Sequence, residues 1–152
     1  MNFAKPRSLG ALLGAGLVVA LYVADAALKA SGGTGLSPFT LSVFLLPGVL
    51  ASWLSNRSDQ AWDAEKEGTL AGLTTAHFAS LLLLVALITA AANIDWTAYE
   101  GQVGPEIANG VRAAVVPAAV IAGLVAVVLV YAVCVLLSWL GALLYRQLAG
   151  SR

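Results

Sequence analysis

His77 is the only histidine of the chain, and it stands in the apolar run GTLAGLTTAHFASLLLLVALITA, Gly68 to Ala90. An imidazole there has three uses. It can ligate a metal or tetrapyrrole, carry a proton, or bond a carbonyl or hydroxyl across a helix seam. Two-histidine haem ligation within one chain is excluded. A single axial bond to a chlorophyll-type pigment, or to a haem completed by another subunit, is compatible with the sequence. Thr74 and Ser80, at i−3 and i+3, offer hydroxyls on the same helix. The common behaviour of polar groups in membrane helices favours the seam bond, with no cofactor.

Asp25 is the other ionisable group inside an apolar run, with Lys29 one turn on at the i+4 spacing of an ion pair. An acid within a membrane span is a functional hypothesis by default. A nearby lysine close to the interface equally suits a snorkelling structural pair. Asp25 shares a helical face with Gly14, which predicts that it points into a bundle. A relay from Asp25 to His77 would cross roughly 12 Å of depth at 1.5 Å per residue, so none is expected within one chain. Asp59, Asp63 and Glu67 recur every four residues in SNRSDQAWDAEKEG, Ser55 to Gly68. That spacing suits a divalent cation, but the mixed signs and missing ligand pattern read as a solvated helix face. No nucleophile with base and orienter, phosphate-cradling glycine loop or HExxH spacing is present. The expectation is therefore no catalytic residue, no resident metal and no enzyme.

The elements that must carry these groups are written in the composition. Of 152 residues 60% are hydrophobic and 11% charged, at a mean hydropathy of +0.88. Soluble domains carry about a quarter charged residues, so this is a membrane composition. Lys+Arg and Asp+Glu balance at eight each, without a basic patch, which argues against nucleic acid. Cys134 is alone in an apolar run, so no intrachain disulfide or thiolate cluster forms.

Four stretches are long enough for about 30 Å of hydrocarbon: 9–30, 36–54, 69–91 and, within 111–148, 117–145. The first follows Lys5 and Arg7 and ends near an Ala24–Asp25–Ala26 that mimics a signal cleavage site. Its length favours a retained span. Ser37 and Pro38 supply an N-cap and first-turn pair for the second. Pro47 and Pro117 are the expected kink positions, with 111–116 an outer extension of the fourth. Ser58 or Asp59 is expected to cap a helix running through Trp62 into the third span.

An even number of spans puts the N-terminus, the 55–68 loop and the C-terminus on one side. Lys5, Arg7, Arg57, Lys66, Arg146 and Arg152 lie there, against Lys29 and Arg112 on the side of the 92–112 loop. The positive-inside rule makes the first side cytoplasmic, as in a prokaryotic inner membrane. Trp53, Trp139 and Tyr145 fall near that boundary, and Trp96 and Tyr99 near the other.

Small residues mark the seams. Gly68, Gly72, Ala76 and Ser80 recur every four residues, and Gly10 and Gly14 form a second patch. The two patches start at one depth, predicting that spans one and three pack together. GALLG (Gly10–Gly14) against GTLAG (Gly68–Gly72), and LPGVLAS (Leu46–Ser52) against VPAAVIA (Val116–Ala122), suggest two tandem hairpins. The run AWDAEKEGTLAGLTTA, Ala61 to Ala76, together with LPGVLASWL, resembles small four-span membrane families of bacteria and archaea without an assigned function. That resemblance covers the central third and implies the paired-hairpin topology, with no binding or catalytic residue. The expectation is an all-α four-helix membrane bundle serving as an accessory or scaffolding subunit, a homo-oligomer or part of a larger membrane complex. The rivals are a small transporter using Asp25 or His77, and a pigment- or haem-binding subunit using His77.

Overall fold

The structure is a computed structural model and describes residues 5–57 and 63–150. Its five α-helices are α1 (Pro6–Ala30), α2 (Leu45–Arg57), α3 (Ala64–Ala92), α4 (Trp96–Val103) and α5 (Pro105–Gly150), with a 3-10 segment Pro38–Phe44 before α2. No strand occurs among the described residues. Four helices are long and apolar enough to cross a membrane: Pro6–Ala30, Pro38–Arg57, Ala64–Ala92 and Pro105–Ala149. The fold is a helical bundle of the membrane class, because only a closed set of backbone hydrogen bonds survives in hydrocarbon.

The bounds refine the sequence reading. Pro6 occupies the first turn of α1, where its missing N–H costs nothing. Ser37 accepts from Phe39 N, as its N-cap role requires, but the turns it opens are 3-10. Pro47 follows directly in the first turn of α2. It cannot donate to the Val43 carbonyl four residues back, so the tightened 3-10 ladder ends where the α-helix begins. Ser58, Asp59 and Trp62 lie outside the described residues. Asp63 is the residue that accepts from Glu65 N at 3.1 Å and Lys66 N at 3.2 Å, and α3 starts beside it. The fourth helix starts at Pro105 rather than near Val111, and it passes through Pro117 unbroken. At 1.5 Å per residue its 46 residues reach about 69 Å, more than twice the hydrocarbon thickness.

The chain divides into two compact units. In the first (1–79 and 131–152), α1 and α2 pack with the start of α3 and the end of α5. Its core is made of small residues: Ala11, Ala51, Ser52, Ala71, Thr75, Ala76, Ser138 and Ala142 are all buried. Small side chains let backbones approach closely, which is how helices gain contact when lipid is as apolar as leucine. The second unit (80–130) holds the end of α3, α4 and the start of α5. Asp95 caps α4 by accepting from Ala98 N at 3.0 Å. Gly104, at φ +85°, turns the chain into α5 while its N–H closes on Glu100 O; a side chain there would be strained. The Arg112 guanidinium lies 5.6 Å over the Trp96 ring.

Candidate functional site

The polar groups of the spans are best followed from the first unit. In α3 two stripes offset by one residue face different partners. Glu67, Ala71 and Thr75 meet α1: a Cβ at Gly10 would touch Ala71 Cβ at 2.9 Å, and one at Gly14 would overlap Thr75. Gly68 and Gly72 instead meet α5 and α2. A Cβ at Gly68 would reach Ala142 Cβ at 2.5 Å and Ser52 Oγ at 3.3 Å; one at Gly72 would reach Ser138 Cβ at 2.6 Å and Cys134 O at 2.8 Å. Spans one and three do pack together, through Gly10 and Gly14 on α1 and this neighbouring stripe on α3, while Gly72 faces the fourth span. Ala76 is fully buried, and Ser80 is buried in the second unit with an unpartnered hydroxyl among the described residues.

The closest approach is between α2 and α5. A Cβ on Gly48 would run into the backbone of Ser138, and one on Gly141 into the backbone of Leu45. Pro47, buried, presents its carbonyl to Gly10. Gly48 and Ser138 were readable by the rule that found Gly68, since Gly48 and Ser52, and Cys134, Ser138 and Ala142, follow the same four-residue spacing; Gly141 lies off it.

The start of α3 gathers α1, α2 and α5. Glu67 is 3% exposed and accepts from Arg7 N at 3.0 Å, with the Arg7 guanidinium 3.8 Å away. Lys5, the N-cap of α1, makes no side-chain cap bond, so a carboxylate from α3 supplies it. Glu65 pairs with Arg146 of α5. Ser52 of α2 donates to Ala64 O at 2.9 Å, and Asn56 donates to the Tyr145 hydroxyl at 3.4 Å. The expected solvated face thus fails at Glu67, which is buried as a cap for another helix. Among the described residues no three acids, cysteines or histidines gather as a metal site.

Asp25 does not point into the bundle. It pairs with Lys29 at 2.6 Å and accepts from Leu36 N at 3.0 Å, tying the 31–36 loop to the end of α1. Gly35, at φ +85°, lets the loop pass: a Cβ there would sit 2.6 Å from Asp25 Oδ1. His77 is exposed on α3, yet its Nδ1 lies 2.7 Å from the Tyr131 hydroxyl of α5, the rings meeting edge to face at 5.3 Å. A longer contact, 3.4 Å, runs from Nδ1 to Leu73 O. Tyr131 is the partner that sequence reading missed, because its pairing depends on the α3–α5 register.

In the second unit an apolar groove of about 500 Å³ runs between α3 and α5, lined by Leu84, Leu87, Ile88, Ala119, Gly123 and Leu124 among others. It contains no chemistry-bearing side chain.

Fold and site together define a small multi-pass helical membrane protein. The chain matches no protein-family model, and no curated protein or solved structure matches it. The resemblance to small four-span families therefore gains no support beyond the topology.

Proposed function

We propose that this chain is a non-enzymatic accessory or scaffolding subunit of a prokaryotic cytoplasmic membrane, working by helix–helix packing with itself or a larger complex. One observation carries the reading. The ionisable side chains set among the apolar helices are spent on the chain itself: Asp25 on Lys29 and Leu36 N, Glu67 on Arg7, His77 on Tyr131. A transporter needs polar groups free to meet a substrate in mid-membrane, and an enzyme needs several that converge. The excess of Lys and Arg on the side of both termini supports a cytoplasmic placement of those ends.

No cofactor belongs to this proposal. Among the described residues, Nδ1 of His77 is the one partner of the Tyr131 hydroxyl. That contact supports reading His77 as a bond across the helix seam. Purification in mild detergent tests the reading. The expected result is a mass above one chain with no visible absorption band. A lone monomer that moves a substrate across liposomes, with flux lost in Asp25→Asn, would overturn it.

A further inference from the structure

The apolar groove of the second unit has the dimensions of one lipid chain and a base at its end. It runs along α5 from Val115 to Val127, about 18 Å at 1.5 Å per residue. One leaflet of a bilayer holds about 15 Å of hydrocarbon, so the groove is as deep as a single leaflet. Ala91, next to the last residue of α3, lines it together with Val115, so that end lies where the chain leaves the span. Water does not fill an apolar space of this kind, and an empty one forfeits dispersion contacts along its walls. In a membrane the filler at hand is an acyl chain.

Arg112 stands at the same end. It precedes Val115 by three residues and Ala119 by seven, which puts it on the groove face of α5, about 4.5 Å beyond the lining. Its guanidinium lies 5.6 Å over the Trp96 ring and has no ion pair among the described residues. A tryptophan at the end of a span marks headgroup depth, and a guanidinium holds phosphate through paired N–H bonds. The 95–112 segment carries Asp95, Glu100 and Glu106 against this one base. A phosphate balanced by an ammonium therefore suits it better than a net anion.

We infer that the groove seats one acyl chain of a phospholipid from the leaflet on the side of the 92–112 loop, with the lipid's phosphate on the Arg112 guanidinium. The groove alone would take any acyl chain, and Arg112 selects one that carries a phosphate.

Native mass spectrometry of the full chain in mild detergent, titrated with palmitoyl-oleoyl phosphatidylethanolamine, tests this. The first complex should hold one lipid per chain. Diacylglycerol with the same chains and no phosphate should bind about tenfold more weakly, the loss of a charge-assisted hydrogen bond. Arg112→Gln should weaken the phospholipid by a similar factor, while Lys66→Ala, a base lost from the start of α3, should leave it unchanged. Gly123→Leu fills the groove, since a Cβ there already stands 3.4 Å from Leu87 Cδ1, and should remove the first complex. Ala119→Phe fills it without touching the Gly123 contact and should give the same loss. Equal binding of phospholipid and diacylglycerol, or binding indifferent to Arg112→Gln or to both filling variants, overturns the inference. A lipid-free dimer that both filling variants dissociate overturns it in favour of a second copy in the groove.

Discussion

At the scale of single residues, the buried carboxylate of Glu67 and the imidazole of His77 differ in what their removal costs. Glu67 accepts from the first turn of α1 while 3% exposed, so Glu67→Ala strands the Arg7 N–H and leaves its guanidinium without a counter-ion. Hydrogen bonds to charged groups contribute about 1.5–3 kcal/mol, and Arg7 is partly solvated, so a loss near the lower end is expected. Denaturant titration in detergent, followed by circular dichroism, measures it. His77→Ala removes one interhelical bond of a kind worth about 0.6 kcal/mol on average in a membrane protein. Tyr131→Phe should cost the same amount as His77→Ala, and the double variant no more than either alone, if the two share one bond. Asp25→Asn keeps an acceptor for Leu36 N and should unfold no earlier than Asp25→Ala, because the asparagine still ties the loop to α1. The Asp25–Lys29 pair was legible from its i+4 spacing, but the bonds of Glu67 to Arg7, His77 to Tyr131 and Asp25 to Leu36 N were not. Glu67 reads as one more charge in a charged run, and only the proximity of α1 turns it into a cap.

At the scale of elements, glycines separate into those that allow contact and those that do not. Gly48 and Gly141 carry no strain of their own, but a methyl group on either would meet the backbone of the opposing helix. Backbone cannot swing aside as a side chain can, so Gly48→Ala is expected to cost about 1–3 kcal/mol, the usual range for overpacking. Gly16 has nothing within 4 Å of its Cβ position, so Gly16→Ala should be neutral or slightly stabilising through helix propensity. Thermal unfolding of the two variants side by side distinguishes packing from propensity. The four spans themselves were legible, since a run of about 20 apolar residues has one physical solution in a bilayer. The presence of seams was legible too, from small residues every four positions. Their pairing was not. Gly72 and Thr75 are close in sequence yet meet different helices, and a single stripe does not say which neighbour it faces. The start of α5 at Pro105 was hidden because its first turns are polar enough to resemble a loop, while Pro117 invites a break that the helix does not take.

At the scale of the whole molecule, Asp25, Glu67 and His77, the ionisable groups set among the apolar helices, bond to other parts of the same chain. That pattern suits a protein whose product is an assembly rather than a reaction. The measurement that tests this most directly is the native mass of the detergent-purified full chain, taken with its absorption spectrum. The account predicts a discrete species heavier than one chain and no visible band. A monodisperse single chain, or a coloured one that loses its band in His77→Ala, would contradict it.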